Sequence, residues 1–433
     1  MSDESVTPPT GPTIAVVGSG PSGCYTAQFL RKDLPDAEIT IFEALPVPYG
    51  LVRYGVAADH QGTKAVAAQF DRMFTRSDIT FVGNTRIGVD IDITSITDSF
   101  DIVVAATGLM SDRGLSIPQH AEANIVGAGR ILRALNAFPD AAASTKMLSA
   151  PLGHDLIVIG HGNVAIDVVR LLTKKSHHFR GSDVDDVALE ALRPTAPQTV
   201  HVIGRSSADN AKFDLAMLRE LCALETISIA IEGLPATAAS PVADLLRNAQ
   251  AADRRGTEEP VGETTTVTFH FETQPAAVRL DGGRTVLDVT APGGASASYS
   301  ADTLITAIGF CHDDSNGDDE TLKAWTAPHV YRVGWCERGG RGNIAENRKH
   351  AQHTARTIVA DLQNGKLASG QRPGLAAIRD ALPSTAVDFA GWQAIDAVER
   401  GAADEHRCRR KLTDLNDMVA ISRGAARRRC QTR

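Results

Sequence analysis

The stretch IAVVGSGPSG, residues 14–23, runs from an apolar segment into a Gly-x-Gly-x-x-Gly turn. The residues that follow have helical spacing up to residue 33, so the pattern predicts a strand, a turn and a helix in succession. In such a turn the first glycine makes the bend, the second lets the backbone approach a pyrophosphate, and the third lets the helix pack closely on the strand. We therefore predict dinucleotide binding here, with purely structural glycines as the alternative, and expect contacts from Gly18, Gly20, Pro21, Ser22 and Gly23.

A carboxylate at the end of the next predicted strand fits the same interpretation. That strand covers residues 37–44 and includes Glu43, which lies 23 residues after Gly20. An acid at about this spacing binds a ribose hydroxyl in dinucleotide-binding folds. The strand, turn, helix and acid thus occur in the order that such a site requires.

A second turn of the same kind, LIVIGHGNVAID, occupies residues 156–167. It keeps the two glycines that approach phosphate, Gly160 and Gly162, and has Ala165 at the third position. Either glycine or alanine is found at that position in such turns, and the alanine form is often associated with a phosphorylated nicotinamide cofactor. We therefore predict a second dinucleotide site about 140 residues after the first.

The residues after the following strand indicate which dinucleotide this second turn binds. The strand predicted at 199–203 ends in Gly204-Arg205-Ser206 rather than in an acid. Arg205 can hold a 2′-phosphate, which an aspartate or glutamate would repel, so the sequence favours NADP over NAD. An ordinary exposed arginine at a strand end is the alternative.

Strands alternate with helices along most of the chain, which is typical of α/β proteins with parallel sheets. The two turns predict two Rossmann-like dinucleotide-binding domains, and a flavin in one with a nicotinamide in the other is the chemically sensible pairing. Further predicted elements are a helix at 63–76, strands at 100–108 and 302–310, and a β-meander at 264–272, 276–280 and 285–290 with RLDGGRTV as its hairpin turn.

Composition excludes several other classes of protein. The net charge of −8 argues against a general nucleic-acid binder. No apolar run reaches 18 residues and the polar N-terminus is unlike a signal peptide, so neither a membrane span nor secretion is expected. The six cysteines form no C-x-x-C pair, which predicts neither a redox dithiol nor a zinc site and suits a cytoplasmic location. No metal site is predicted.

Beyond the turns, the segments PVPYGLVRYGVAADH, LIVIGHGNVAIDVVRLL, FDLAMLREL and VGWCERGGRGNIAENRKHA carry a family resemblance. From residue 12 to residue 422 the chain resembles the adrenodoxin-reductase-like ferredoxin–NADP⁺ reductases. The resemblance implies a two-dinucleotide-binding, glutathione-reductase-like flavoprotein. Its FAD domain would comprise residues 1–108 and 329–433, and an NADP domain, residues 109–328, would be inserted between them.

The resemblance also implies where the cofactors lie. FAD would follow the first turn, with its ribose on Glu43 and further contacts from Tyr49, Gly50, Leu51, Arg53, Thr107, Gly108, Trp335, Gly342, Asn343 and Ile344. NADP(H) would lie over the second turn, on Gly160, Gly162, Asn163, Val164 and Arg205. Next to Asp59, His60 matches a family position near the nicotinamide, and the pair is the candidate catalytic group. The rival interpretation makes Asp59 a helix N-cap and His60 a packing residue.

The activity implied is hydride transfer from NADPH to FAD, followed by single-electron transfer to a ferredoxin-type iron–sulfur protein that feeds a cytochrome P450 or similar oxygenase. Such a partner is acidic and needs a basic face. Residues 401–433 carry nine Arg and Lys against four Asp and Glu, which is either a solvated terminus or a docking patch. The candidates for this face are Arg254, Arg255, Arg407, Arg409, Arg410 and Lys411.

The chain departs from the family at functional positions. Ser206 replaces a second arginine for the 2′-phosphate, and Met217 replaces an acid whose role only Asp214 or Glu220 could take over. In the turn RGGRGNIAEN, Gly340, Ala345 and Glu346 replace proline, glycine and threonine, and Ala58 replaces a proline. These departures leave two alternatives open, an oxidoreductase acting directly on a small molecule and a non-catalytic nucleotide-binding subunit.

Overall fold

A computed structural model describes residues 11–139, 150–253, 264–312 and 325–431 of the 433-residue chain. These residues form two compact units. The first unit comprises residues 11–56, 60–111, 310–312 and 325–431, and the second comprises residues 57–59, 112–139, 150–253 and 264–309. The sequence predicts boundaries after residues 108 and 328, whereas the units divide after 111 and 309. The later division falls earlier than predicted because the chain leaves the second unit soon after its last strand, at Gly309 with a φ of +104°.

The first unit is built on a parallel five-stranded sheet. Its strands are β1 (Thr13–Val17), β2 (Glu38–Phe42), β3 (Ile79–Val82), β4 (Ile102–Ala105) and β16 (Val330–Arg332), in the order β16–β4–β1–β2–β3. Every residue of β1 is buried, as expected for the central strand of a sheet that is covered on both faces. In the register of this sheet Val17 is level with Phe42 and Ala105, so the segments that follow β1, β2 and β4 leave the sheet at one edge.

The second unit has a parallel six-stranded sheet, and the segments that follow its strands also leave the sheet at one edge. Its strands are β6 (Ile125–Gly127), β7 (Asp155–Ile159), β8 (Thr199–Ile203), β9 (Ile227–Glu232), β10 (Thr265–His270) and β14 (Thr303–Thr306), in the order β6–β14–β7–β8–β10–β9. Ile159 and Ile203 are level in the register of β7 and β8. The glycine turn after β7 and the Gly204-Arg205-Ser206 segment after β8 therefore lie side by side.

The antiparallel sheet differs from the predicted meander. It consists of β11 (Gln274–Asp281), β12 (Arg284–Thr290) and β13 (Ser296–Ala301), and the predicted RLDGGRTV hairpin joins its first two strands. The prediction was wrong for residues 264–272, because β10 pairs in parallel with β8 and β9. β10 alternates polar and apolar residues like a meander strand, but four of its six residues are buried in succession. Short strands β5 (Ser111–Asp112) and β15 (Phe310–Cys311) complete the set in the described residues.

Helices flank both sheets. In the first unit they span Pro21–Asp33, Leu51–Tyr54, Gln61–Lys64, Ala67–Arg76, Ile93–Ser99, Trp335–Arg338, Ile344–Gln363, Leu375–Ile378, Phe389–Gly401 and Leu415–Gln431. In the second unit they span Ala128–Leu135, Asn163–Thr173, Asp186–Leu192, Leu215–Cys222 and Pro241–Asp253. Within the described ranges, no helix is both long enough and apolar enough to cross a bilayer.

Candidate cofactor sites

The first glycine turn has the conformation that its sequence predicts. Gly18 has a φ of +108°, and its N–H donates to the Phe42 carbonyl at 2.8 Å. A Cβ at Gly18 would lie 2.4 Å from the Ala106 carbonyl oxygen, and a Cβ at Gly23 would lie 2.0 Å from the Gly18 carbonyl oxygen. These two glycines are required by the packing of the protein itself.

Gly20 is different, because a Cβ there would meet no protein atom within 4 Å and its φ of −65° suits any residue. Gly20 is the N-cap of the helix Pro21–Asp33, with Pro21 and Ser22 in the first turn. No side chain caps this helix, so its first N–H groups face the open space beside Gly20. A pyrophosphate fits such a place, since the helix N-terminus supplies both donors and positive charge.

Glu43 lies against this turn, as predicted. Its carboxylate accepts hydrogen bonds from the Ser19 hydroxyl at 2.5 Å, from the Ser19 N–H at 3.1 Å and from the Leu45 N–H at 3.1 Å. Burial raises the pKa of Glu43, and these hydrogen bonds oppose that rise. A ribose hydroxyl would provide a further donor to this half-buried carboxylate.

The loop at residues 49–53 packs its backbone onto the same turn. Tyr49 has a φ of +85°, and its N–H donates to the carbonyl and the hydroxyl of Ser19, each at 3.2 Å. A Cβ on Gly50 would lie 3.3 Å from the Gly20 Cα, so only a glycine leaves the approach to Gly20 open. The Tyr49 side chain points away into the core, where its hydroxyl bonds to Asp71 and its ring meets Trp392 edge to face. Loop residues 49–51 would thus reach a cofactor through their backbone.

Arg53 has a structural partner that the sequence analysis missed. Its guanidinium is buried and pairs with the fully buried Glu399 at 2.5 Å. Glu399 also pairs with Arg409 at 2.9 Å, and the Lys411 ammonium donates to the Arg53 carbonyl at 3.1 Å. Arg53 thus anchors the 49–53 loop to the C-terminal region, and its predicted contact with FAD stays a prediction.

The same contacts correct part of the predicted docking patch. Lys411 is only 7% exposed, and Arg409 is held by Asp396 as well as Glu399. These two cations are therefore used inside the fold. Arg410 is exposed and Arg407 is half-buried, while the remaining candidates, Arg254 and Arg255, lie outside the described residues.

Two further segments of the first unit carry residues that the sequence analysis predicts to contact FAD. Ala106, the first residue after β4, donates its N–H to the Val17 carbonyl at 2.8 Å. Thr107 and Gly108 follow directly, and Gly108 has a φ of +72°. Trp335 donates its indole N–H to the Gly342 carbonyl at 3.1 Å and stacks on Phe310. Both segments are therefore held in place by the protein before any cofactor binds.

The Glu346 departure from the family pattern has a local explanation. Asn343 is the N-cap of the helix Ile344–Gln363, and its side chain accepts from the Glu346 N–H at 3.1 Å. The Glu346 carboxylate in turn accepts from the Asn343 N–H at 2.9 Å, which completes a capping box. Glu346 therefore stabilises the helix start at the turn that contains Gly342, Asn343 and Ile344.

In the second glycine turn, as in the first, one glycine is required by protein packing and the next leaves open space. Gly160 has a φ of +134°, and a Cβ there would lie less than 3.0 Å from the Ala307 carbonyl oxygen. Gly162 has a φ of −123°, is the N-cap of the helix Asn163–Thr173 and has no protein atom within 4 Å of a Cβ position. The third position accepts Ala165, which is fully buried, whereas the first turn has no room for a Cβ at Gly23.

Side chains around the second turn pack against the segment that carries Arg205. The His161 ring lies beneath Gly204, where a Cβ would collide with it, and between Phe213 and Phe271. Burial lowers the pKa of His161 to about 4, so this ring is neutral near pH 7. Arg205 is exposed and forms no ion pair with any residue in the described ranges. It is therefore available to a ligand.

Asn163 and Val164 begin the helix of this turn. The Asn163 carbonyl oxygen of the side chain accepts from the Asp214 N–H at 2.7 Å, which leaves its amide N–H groups for a ligand. Val164 is partly buried against the core of the second unit. Asn163 therefore fits the predicted contact, and Val164 contributes its backbone at the helix N-terminus.

Asp59 lies in a buried ion cluster of the second unit. Its carboxylate is bound by Arg170, which is fully buried, and by Lys174 at 2.5 Å. Arg170 also pairs with Asp167 at 2.9 Å and with Glu220 at 2.9 Å. Burial raises the pKa of Asp59, but its bonds to Arg170 and Lys174 outweigh this and lower the pKa to about 2. An ionised carboxylate held by two cations is a poor proton acceptor at neutral pH, so we expect Asp59 to stabilise the fold.

The depressed pKa of Asp59 predicts acid lability. Because the pKa is about 2 in the folded protein and ordinarily 3.8, the stabilisation is complete above pH 5 and is lost as the pH falls towards 2. It amounts to about 2 kcal/mol at neutral pH. We expect Asp59→Asn to lower the free energy of unfolding at pH 6 and to differ less from the parent protein at pH 3. A constant difference from pH 6 to pH 3 in denaturant titrations would contradict this assignment.

His60 is the N-cap residue of the helix Gln61–Lys64, and no side chain caps that helix. The interpretation of Asp59 as an N-cap is therefore wrong. His60 is half-buried, and the chain passes from the second unit to the first between Asp59 and His60. A role of His60 towards the nicotinamide stays a prediction.

The structure also accounts for the missing acid at Met217. Met217 packs against the core of the second unit. Asp214 caps its helix by accepting from Ala216 at 2.8 Å, and Glu220 belongs to the Arg170 cluster. Each carboxylate thus has a structural contact, and substitution for the missing acid by either one stays a prediction.

In the part of the chain that the structure describes, one group of potential metal ligands lies outside both turns. His177, His178 and Glu225 hold their ligand atoms within 4.8 Å of one another. The His178 Nδ1 accepts from the Lys175 N–H at 3.1 Å, so the neutral ring carries its proton on Nε2, which faces Glu225 at 3.1 Å. A metal would need the Nε2 lone pair and a donated Nδ1–H, which is the opposite tautomer. The cluster therefore fits a hydrogen-bonded group better than a metal site.

Comparisons with known proteins extend these observations over nearly the whole chain. Residues 16–71 match the NAD(P)-binding Rossmann-like domain family. Cindoxin reductase of Citrobacter braakii is 38% identical over 429 residues, which cover 96% of this chain and 93% of that protein. NADPH-ferredoxin reductase FprA of Mycobacterium tuberculosis is 31% identical over 455 residues, with coverages of 95% and 99%.

Two further similarities agree with these. Human mitochondrial NADPH:adrenodoxin oxidoreductase is 30% identical over 458 residues, which cover 95% of this chain and 92% of that protein. The solved structure of M. tuberculosis FprA in complex with NADPH aligns with a TM-score of 0.80 at 30% identity, covering 95% of this chain and all of that one. These alignments cover nearly the whole chain.

Proposed function

Because the chain belongs to the adrenodoxin-reductase-like ferredoxin–NADP⁺ reductase family, we propose that it is an NADPH-dependent FAD flavoprotein that reduces a ferredoxin-type iron–sulfur protein. The observation that carries the proposal is the pair of open glycines. At both Gly20 and Gly162 the protein leaves free the space that a side chain would fill, directly at the N-terminus of a helix. Two such places in one chain fit two dinucleotides.

We assign FAD to the first unit. Gly20 and the first N–H groups of the helix Pro21–Asp33 would hold the pyrophosphate, and Glu43 would accept a ribose hydroxyl. The backbone of residues 49–51 and the turn at 342–344 would border the rest of the molecule. Glu43 is already oriented by Ser19 and Leu45, so little ordering is needed on binding.

We assign NADPH to the second unit. Gly162 and the helix Asn163–Thr173 would hold its pyrophosphate, and Arg205 would bind the 2′-phosphate as a charge-assisted pair. When both are bound, NADPH supplies a hydride to FAD, and FAD releases electrons singly to the iron–sulfur protein. The protein's own contribution is binding and orientation, since hydride transfer itself requires no general acid or base.

We place the face that docks an acidic iron–sulfur protein on the helix Ile344–Gln363. This helix follows directly after the 342–344 turn and carries the exposed cations Arg348, Lys349 and Arg356, with Arg341 just before it. Lys349 and Arg356 are seven residues apart and share one helix face. These cations offer the positive field that Arg409 and Lys411, held inside the fold, do not.

Reversing two of these charges tests the docking face. We expect Lys349→Glu with Arg356→Glu to slow electron transfer to adrenodoxin about 10-fold at low ionic strength, and to lose most of that effect at roughly 0.5 M salt. Flavin reduction by NADPH, followed in the same samples, should be unchanged. The matched control is Arg86→Glu with Arg379→Glu, which reverses two exposed cations elsewhere in the first unit. Equal slowing by both double variants would remove the helix from the docking face.

The cysteines support the cytoplasmic location that we propose. Cys24, Cys222, Cys311, Cys336 and Cys408 are free thiols, and burial raises the pKa of both Cys24 and Cys336. Buried, protonated thiols are typical of proteins that work in a reducing compartment.

The proposed function is tested by mixing FAD-loaded protein anaerobically with NADPH and following the flavin absorbance. We expect rapid bleaching, followed by recovery of the oxidised spectrum when oxidised adrenodoxin is added. Bleaching without transfer to adrenodoxin, but with transfer to a quinone or another small acceptor, would favour an oxidoreductase of small molecules. A protein that retains no FAD or is not bleached by NADPH would favour a non-catalytic nucleotide-binding subunit.

A further inference from the structure

A carboxylate lies beside the segment to which we assign 2′-phosphate recognition. After β8 and β10 end, their two following segments remain paired. The Gly204 N–H donates to the His270 carbonyl at 3.1 Å, and the Thr273 N–H donates to the Gly204 carbonyl at 3.0 Å. Between these bonds, the Glu272 N–H donates to the Ser206 carbonyl at 3.1 Å. This last bond holds the Cα atoms of Glu272 and Ser206 within about 7 Å of each other.

Glu272 adopts an unusual backbone conformation at this point. Its φ is +53°, in the left-handed region that residues other than glycine and asparagine seldom adopt. Its side chain is exposed, and in the described ranges no cation pairs with it. A strained residue with an uncommitted charge beside a ligand site indicates a functional constraint at that position.

Arg205 is the cation to which Glu272 would be expected to bind, yet the two side chains form no ion pair in the structure. Both side chains are exposed on the paired segments. Ser206 adds no charge to this edge. The edge thus carries one positive and one negative side chain, and both are exposed.

We propose that Glu272 sets the cofactor selectivity of the second unit by weakening its preference for NADPH over NADH. The inference rests on the function proposed above. The 2′-phosphate carries nearly two negative charges, which Arg205 attracts and Glu272 repels. The unphosphorylated ribose of NADH carries no such charge, and its hydroxyl is a donor that a carboxylate accepts. Arg205 and Glu272 thus favour different cofactors at one edge of the sheet.

The test compares Glu272→Gln with the parent protein, because glutamine keeps the size of the side chain and removes its charge. Calorimetric titration with 2′,5′-ADP and with 5′-ADP reports on the second unit without requiring flavin chemistry. We expect Glu272→Gln to bind 2′,5′-ADP about 3- to 10-fold more tightly and 5′-ADP equally or more weakly. In stopped-flow experiments, the ratio of the flavin reduction rate with NADPH to the rate with NADH should rise by the same factor.

The control is Glu190→Gln, which removes an exposed carboxylate from the helix Asp186–Leu192 and makes the same change in net charge. Equal tightening of 2′,5′-ADP by both variants would overturn the proposal, because the effect would then reflect net charge alone. Unchanged binding of 2′,5′-ADP by Glu272→Gln would also overturn it. So would an Arg205→Gln variant that prefers 2′,5′-ADP over 5′-ADP as strongly as the parent protein does. Failure of the proposed function is recognised separately, since neither NADPH nor NADH would then bleach the flavin.

Discussion

Gly20→Ala is expected to give a folded protein that binds FAD about 100-fold more weakly, a loss of about 2.7 kcal/mol. We expect the variant to fold because the added Cβ would meet no protein atom within 4 Å and the φ of −65° at residue 20 suits alanine. The added methyl group would instead occupy the space assigned to the pyrophosphate. The protein should therefore keep its stability as the apoprotein while losing its cofactor.

The neighbouring substitution Gly18→Ala should fail for the opposite reason. Gly18 has a φ of +108°, and its Cβ would collide with the Ala106 carbonyl at the end of a central strand, where the backbone cannot yield. Strain and overpacking of this kind cost about 3 kcal/mol or more, so we expect a destabilised apoprotein. Thermal melting of FAD-free samples, with flavin fluorescence to measure binding, separates the two outcomes.

The second glycine turn supplies the matched control for this pair. Gly162→Ala places its Cβ in open space in the second unit and should weaken binding of 2′,5′-ADP without affecting FAD retention. If Gly20→Ala and Gly162→Ala each affected both ligands equally, the assignment of one cofactor to each unit would be untenable.

Arg170→Met is expected to destabilise the second unit by about 3–5 kcal/mol. Arg170 is fully buried and binds Asp59, Asp167 and Glu220. Among the described residues, removing it leaves the buried Asp59 carboxylate with Lys174 as its one cationic partner, and an undercompensated buried charge is costly. The measurement is the free energy of unfolding from denaturant titration of the apoprotein.

An exposed arginine provides the comparison for Arg170. Arg279 pairs with Asp288 at 3.1 Å and with Asp281 at 3.2 Å on the surface of the antiparallel sheet. Because exposed pairs contribute little, Arg279→Met should change the free energy of unfolding far less than Arg170→Met does. A loss of similar size in both variants would mean that the buried cluster has no special weight.

The parts of the fold that can be predicted from the sequence are those with local requirements. Each glycine turn needs particular residues within ten positions, and both turns have the predicted conformation at Gly18 and Gly160. The DGG hairpin is equally local, since Gly282 and Gly283 both have a positive φ. The strand β10 was misassigned because its pairing depends on which strands lie beside it, and alternation alone does not specify neighbours.

The structural partners of the candidate site residues were missed for a related reason. Glu399 lies 346 residues from Arg53, and Arg170 lies 111 residues from Asp59. No spacing rule links such positions, because tertiary packing alone brings them together. The same holds for Glu272, whose proximity to Ser206 follows from the parallel pairing of β8 and β10. Candidate residues can thus be found by motif, whereas their buried partners require the fold.

The three residues 57–59 affect how freely the second unit could be exchanged in evolution or engineering. Ala57 and Ala58 are fully buried in its core, and the Ala58 carbonyl accepts from the Asp183 N–H at 3.2 Å. A fragment cut at residues 112 and 309 would look like a complete module on a domain map, yet it would lack Asp59 and leave Arg170 without its principal counter-charge. Transplanting the second unit between relatives therefore means transferring a tripeptide from a distant part of the chain along with it.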